Sequence, residues 1–289
     1  MEDPKQKRNF TRCQSKGKEP KPSPYYDYRP LRNGWIRLLQ IRDDGYHNSI
    51  DESDESDESF SSTIEVSLAE HPLSSCPEYT ALSYTWGSPT REPDPRYAIF
   101  TTEPRCFPII CDGRILLATR NLRDFLCRLR QGQRRRKRLG PVATEVFDVG
   151  HGPAKRTVLR TFVSYDFLWI DALCIDQEDL HERACQVAVM NQIYTKARDC
   201  VVWLGELDTM ERASGAIHQF LKCFSDPATG SIDPSCVQDK IMPAIADFRP
   251  SDALAVTEFL SLSWFSRVWI LQESILTESI LAMCGPRTM

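Results

Sequence analysis

LWIDALCIDQEDLHERACQVAVMNQIYTKARDCVVWLG, residues 168–205, is the stretch that decides the fold. It opens within Phe167-Leu-Trp-Ile-Asp171, a run beginning one residue earlier that reads as a strand buried on both faces. Asp179 can cap a helix, with Glu182 three residues on, an aspartate variant of the capping box. Val187, Met190, Ile193, Tyr194 and Ala197 then form the apolar stripe of one long helix. Cys200-Val-Val-Trp-Leu204 is a continuous apolar run closed by Gly205, as expected of a parallel strand covered by helices. Strand, helix and strand in this order make a βαβ unit, whose crossover should be right-handed.

Toward the N-terminus, Tyr79–Trp86 is β-branched and aromatic and is stopped by Gly87 and Pro89, so it reads as a strand ending in a loop. Trp35–Ile41 reads as another strand. The three Asp-Glu-Ser repeats of Asp51–Ser59 repel themselves and stay solvated, which suits a hairpin-loop insertion over about 43–62. Phe107–Cys111 and Arg114–Leu117 flank Asp112-Gly113, a hairpin signal. Leu122, Phe125, Leu126 and Leu129 predict a helix over 121–130. The basic run Arg134–Arg138 then falls in a loose basic, Gly/Pro-rich insertion over about 131–160. Toward the C-terminus a helical insertion over about 206–263 is broken by Pro227, Pro234, Pro243 and Pro250. Leu254, Phe259 and Leu260 suggest one apolar stripe near its end. A last helix over 264–275 and a closing strand at Leu281–Cys284 complete one domain over 25–285. Residues 1–24 read as a disordered basic tail and 286–289 as a short end piece.

The 289 residues are enough for one large domain, and 41% hydrophobic content is enough for its core. The net charge, 36 − 40 = −4, gives no basic field, so no nucleic-acid partner is expected. No apolar run is long enough to span a bilayer, and Met1–Pro24, polar and Lys/Arg-rich without an apolar stretch, does not read as a secretory signal. The 11 cysteines form neither a CxxC pair nor a zinc-spaced cluster, so no metal is expected. Several, Cys174, Cys185 and Cys200 among them, sit in apolar stretches and read as free core thiols of a reducing compartment. That places the chain in the cytoplasm, or in the nucleus if Arg134–Arg138 serves as an import signal.

Two places could carry chemistry. On the last helix, Trp264, Val268, Leu271 and Ile275 share one stripe, expected to be core. Trp269 and Glu273 sit four apart on another line, either packed against another element or lining a cleft. The second place is the pair of loops after the Tyr84–Trp86 and Trp169 strands, containing Gly87, Asp171 and Asp176. If those strands are parallel neighbours, both loops lie at the edge where open α/β sheets bind ligands. The ordinary alternative for Asp171 and Asp176 is local capping and Asx-turns. A thiol hydrolase built on Cys174 and His181 would lack both an elbow and an ordered triad, and no GxSxG, P-loop, HExxH or GxGxxG pattern is present.

YTALSYTWG (79–87), residues 168–205 and WFSRVWILQE (264–273) together resemble the fungal heterokaryon-incompatibility (HET) domain, as does the opening YRPLRNGWIRLLQI. The resemblance implies a role in fungal non-self recognition and programmed cell death. HET domains are in turn similar to TIR domains, which implies a flavodoxin-like, mostly parallel sheet flanked by helices, here with an N-terminal strand and hairpin elaboration. LSYTWG resembles the first TIR strand, WID with the Asp176–Asp179 loop the second strand and its loop, and RVWILQE the W-C-x-x-E stretch, with Ile270 in place of the cysteine. The likeness casts Glu273 as the catalytic residue of an NAD+ glycohydrolase. Tyr84, Trp86, Gly87, Asp171, Asp176 and Trp269 would line the NAD+ site, with NAD+ as substrate and no bound cofactor. The alternatives are a non-enzymatic module that self-associates or answers an upstream sensor protein, with Glu273 paired to Arg267, and an inactive truncated family member.

Overall fold

The protein is described here from a computed structural model covering residues 23–42, 63–90, 105–139, 145–149, 156–160, 166–206, 213, 215, 249–277, 279–285 and 287–288. Its centre is a sheet of β1 (Trp35–Ile41), β2 (Glu65–Pro72), β3 (Thr80–Tyr84), β4 (Phe107–Cys111), β5 (Arg114–Ala118), β8 (Leu168–Trp169), β9 (Asp199–Trp203), β10 (Ile280–Cys284) and β11 (Arg287–Thr288). The order across this nine-stranded sheet is β11-β10-β9-β3-β8-β1-β2-β4-β5. The four strands β10, β9, β3 and β8 run parallel; β9, β3 and β8 are buried throughout, as their apolar runs predict, while β10 is buried only at its C-terminal end. The α/β class with a parallel centre and an N-terminal hairpin elaboration is therefore what the chain adopts.

One feature of the topology was not legible in the 168–205 unit. Its two strands do not pair with each other: β3 lies between them, with Thr80 opposite both Leu168 and Asp199. The crossover from β8 to β9 skips one strand position, and that position is filled by LSY from far earlier in the chain.

The other half of the sheet is built from hairpins. β1 and β2 pair antiparallel to Ile41↔Val66, so the acidic stretch joins the ends of a hairpin; residues 43–62 themselves lie outside the described residues. Asp112 (φ 49°) and Gly113 (φ 81°) turn β4 into β5, the left-handed pair that a two-residue hairpin needs. The basic tail over 1–22 and residues 207–212, 214 and 216–248 of the helical insertion also lie outside the described residues.

The helices differ from expectation in five places. Helix α1 (Arg120–Leu139) buries Leu122, Phe125, Leu126 and Leu129 as their spacing predicts. It does not stop near Arg130 but continues through Arg134–Arg138. Arg, Lys, Gln and Leu are strong helix formers, and after Gly132 no breaker intervenes before Gly140. The rest of the expected loose insertion holds a two-stranded ribbon, β6 (Glu145–Val149) with β7 (Arg156–Arg160).

The expected long helix after Asp179 is two: α3 (Leu180–Ala188) and α4 (Met190–Lys196), broken at Val189 (φ −110°, ψ 6°). The short α2 (Asp171–Cys174) precedes them, so Asp171 opens a helical turn rather than a loop. The break re-phases the buried face. Met190, Ile193, Tyr194 and Ala197 enter the core, while Val187 and the part-exposed Cys185 do not. The face of α3 that meets β1 is polar instead: the Gln186 amide donates to the Trp35 carbonyl (2.9 Å), and Glu182 takes Arg37.

Asp179 caps α3 through the His181 and Glu182 amides (2.9 and 3.1 Å). Glu182 does not close the capping box. Its Oε1 accepts from the Asp176 amide (2.7 Å), and both oxygens bind Arg37 (2.5 and 2.9 Å). Burial opposes the charge on Glu182, but the Arg37 hydrogen bonds, the Asp176 amide and the guanidinium charge outweigh it and hold its carboxyl below the usual range.

Near the C-terminus, α5 (Pro250–Leu260) packs Phe259 against the core but leaves Leu254 and Leu260 exposed. The last helix is a 3-10 turn (Ser263–Ser266), a break, and the short α6 (Ile270–Ile275). Trp264 is buried, but Val268, Leu271 and Ile275 are 81%, 62% and 72% exposed, so the expected core stripe is absent. The break at Arg267 turns α6 so that Glu273, 1% exposed, points inward. Among the described residues no helix is long and apolar enough to cross a membrane.

Candidate functional site

β3 and β8 are parallel, so the residues that follow them meet at one edge of the sheet. Within β3, Ser83 is a fully buried hydroxyl, and such a group is normally hydrogen-bonded. It donates to Glu273 and accepts from the Trp264 indole (2.6 Å). The Arg267 guanidinium closes the group with two parallel bonds to Glu273, 2.9 and 2.8 Å. Bidentate pairing of this kind is the strong form of the carboxylate–arginine contact. Glu273 thus has both oxygens paired beneath the edge of the sheet.

Asp171 stands at the same edge, at the start of α2. It is only partly exposed. Its Oδ2 accepts the Trp86 indole N–H (3.0 Å) and its Oδ1 the Ala172 amide (2.7 Å). Its backbone carbonyl takes the Gln177 side-chain amide (2.8 Å), which fastens the following loop. Desolvation raises its carboxyl to about 6; Arg267, the Ala172 amide and the Trp86 indole oppose that rise, and the Glu273 charge adds to it. Arg267 is therefore bonded to buried Glu273 while its charge also attracts the partly exposed Asp171.

Tyr84 is buried beside this group, and desolvation followed by the Asp171 charge pushes its hydroxyl well above the ordinary value. Arg105 lies 5.9 Å from the centre of the Trp86 ring and reaches Glu178 at 3.4 Å. Gly87 is exposed, with open space where a Cβ would stand. Trp269 is 44% exposed, at the start of α6, where its carbonyl accepts the Gln272 and Glu273 amides (3.0 and 3.1 Å).

Of the residues singled out in the sequence, Tyr84, Trp86, Asp171 and Glu273 are brought together around Arg267. Asp176 makes a local turn instead: its Oδ1 accepts the Glu178 amide (3.0 Å) and its own amide goes to Glu182. Cys174 is a buried free thiol pushed up to about 12, first by desolvation, and its neighbours are Ile170 and Leu168 backbone atoms. His181 lies instead by Cys185, at 3.8 Å. The nucleophile pair of Cys174 with His181 is thus not formed. Among the described residues no group of His, Cys, Asp and Glu has the geometry of a metal site.

Ser83 and Trp264 were missed as site builders. A serine between leucine and tyrosine in a buried strand was the signal for the first. Nothing in the spacing distinguished Trp264 from a core residue.

The strand ends are held in place by two further devices. Asn121 on α1 accepts the Trp203 indole on Oδ1 (2.7 Å) and donates to the Thr85 carbonyl (2.7 Å), joining the ends of β9 and β3. Gly205 adopts φ +98° and lies so close to Pro89 that a Cβ would stand 2.6 Å from its Cγ. Pro89 in turn accepts the Ser263 amide (2.8 Å), which anchors the segment leading to Arg267 and Glu273.

Residues 154–273, from the ribbon to Glu273 itself, match the family model described as heterokaryon incompatibility protein (HET). The chain is also similar to "Heterokaryon incompatibility protein 6, OR allele" of Neurospora crassa, 28% identical over 234 residues. That alignment covers 74% of this chain and 30% of the relative, so the chain spans less than a third of the curated protein it matches. No solved structure matches. The three segments that form the site are those that carry the resemblance, and the two comparisons agree with it: over residues 154–273 the chain matches the heterokaryon-incompatibility (HET) family.

Proposed function

We propose that this chain acts in fungal non-self recognition, triggering programmed cell death, and that the edge formed by β3 and β8 cleaves NAD+. The observation that carries the chemical part is the convergence of Trp86, Asp171, Arg267 and Glu273 at the C-terminal ends of two parallel strands. In NAD+ hydrolysis the bond between the ribose C1′ and the nicotinamide nitrogen breaks. Its electron pair leaves with nicotinamide and cancels the charge on the ring. Positive charge builds on the ribose, water adds to C1′, and one proton is released. A carboxylate facing the ribose stabilises that charge, as in glycoside hydrolysis. No acid is needed for the leaving group, so an arrangement without a free proton donor suffices.

A second reading has a specific observation in its favour. Both oxygens of Glu273 are engaged by Arg267, and Val268, Leu271 and Ile275 present an apolar surface beside it. On this reading the domain self-associates without chemistry, and Glu273 builds the scaffold. NAD+ loss measured with purified wild type and Glu273→Gln separates the two. A 10²–10³-fold drop in the variant is expected for a lost electrostatic stabiliser. Equal turnover by both proteins removes Glu273 from the mechanism, and an inert wild type leaves the self-associating reading.

A further inference from the structure

The site holds two carboxylates, and they are not equivalent. Glu273 is 1% exposed, and its oxygens are taken by Arg267 and Ser83. Asp171 is partly exposed; its Oδ1 accepts the Ala172 amide (2.7 Å) and, at 3.3 Å, the Trp86 indole, whereas its Oδ2 accepts the indole alone (3.0 Å) and keeps an open lone pair. Arg267 is bonded to Glu273, and its charge attracts Asp171. The geometry points to Asp171, not Glu273, as the carboxylate that a ligand meets at this edge, with Glu273 a positioning residue that acts on it through Arg267. For the ligand's identity this rests on the NAD+ reading above; the ribose hydroxyls and the developing charge at C1′ are what a partly exposed carboxylate beside an indole would recognise.

The arrangement has an electrostatic signature. Ionised Asp171 faces Arg267 and Glu273 from the C-terminal segment, Tyr84 from β3, Tyr194 from α4 and Cys174 from its own helix. Replacing Glu273 by Gln removes one repelling charge and frees Arg267 for Asp171, so the Asp171 midpoint must fall. A Glu273 whose charge does not reach Asp171 would leave the midpoint in place.

The test is a pH titration of the Trp86 fluorescence, taken as the difference between each protein and its Trp86→Phe counterpart. Wild type should show a transition near pH 6, Asp171→Asn none, and Glu273→Gln one at lower pH. NAD+ turnover by wild type should rise with pH through the same midpoint, and Asp171→Asn should lose on the order of 100-fold in kcat. Carbodiimide coupling of glycine ethyl ester, read by peptide mass spectrometry, should label Asp171 and spare Glu273. A Glu273→Gln midpoint equal to that of wild type, wild-type turnover by Asp171→Asn, or labelling of Glu273 in place of Asp171 overturns the assignment. An inert wild type sinks the NAD+ reading only, and the titration and the labelling then decide. If Asp171→Asn does not fold, the Glu273→Gln shift and the labelling decide in the same way.

Discussion

Replacing Gly205 by Ala tests the packing that holds the site together. Two costs are separable. At φ +98° an L-residue leaves the left-handed well near +57°, where a side chain already costs about 1–2 kcal/mol. The added Cβ would also lie 2.6 and 2.7 Å from the Pro89 Cγ and Cβ, closer than real Cβ atoms come, and overpacking of this kind costs about 1–3 kcal/mol. The sum is about 2–5 kcal/mol, read from urea denaturation of the intact chain. Two glycines serve as internal references. Gly113 has φ +81° but open space around it, so Gly113→Ala carries only the backbone cost. Gly87→Ala carries neither and should fall within about 0.5 kcal/mol of wild type. The order Gly205 > Gly113 > Gly87 is therefore expected. Equal costs for Gly205→Ala and Gly113→Ala would refute the close approach of Pro89.

Glu182→Gln leaves the 2%-exposed Arg37 charged without its counter-ion and should cost about 3–5 kcal/mol by denaturant titration, whereas Arg249→Ala, breaking an exposed pair, should cost under about 1 kcal/mol. Because Glu182 is held below its ordinary value, the stability it adds is present above its unfolded value of about 4.5 and is lost as the pH falls through the folded one. Leu271→Gln should change stability by no more than about 0.5 kcal/mol, since Leu271 is largely exposed. A core leucine would cost several kcal/mol, and that result would restore the helical stripe that the spacing suggests.

What the sequence made legible depended on how local the deciding force is. The runs at Thr80–Tyr84 and Asp199–Trp203 are buried strands because largely apolar stretches have few other solutions, and the Asp112-Gly113 turn follows from backbone sterics alone. The single stripe through Val187 and the single helix through Trp264 failed for one reason. Each assumed an unbroken helix, whereas Val189 and Arg267 leave helical geometry because tertiary contacts demand a new phase. At the second break the demand is electrostatic: Glu273 turns inward to meet Arg267 and Ser83, and the apolar residues turn out. The site was half visible. Trp86, Asp171 and Glu273 stood out by residue type, but Ser83 and Trp264 are named as partners only by a sheet order that local patterns do not encode.

That sheet order also bears on how such a domain can be exchanged between genes. Residues 154–273 hold β8 and β9, but the strand that joins them is Thr80–Tyr84. A recombination breakpoint between residues 90 and 154 would hand a recipient protein two strands with a gap in the middle and a Glu273 whose Ser83 comes from another parent. Viable chimeras must therefore inherit LSYTWG together with the later block, or receive a strand already matched to it, so the two segments are expected to travel as one heritable unit despite their distance along the chain.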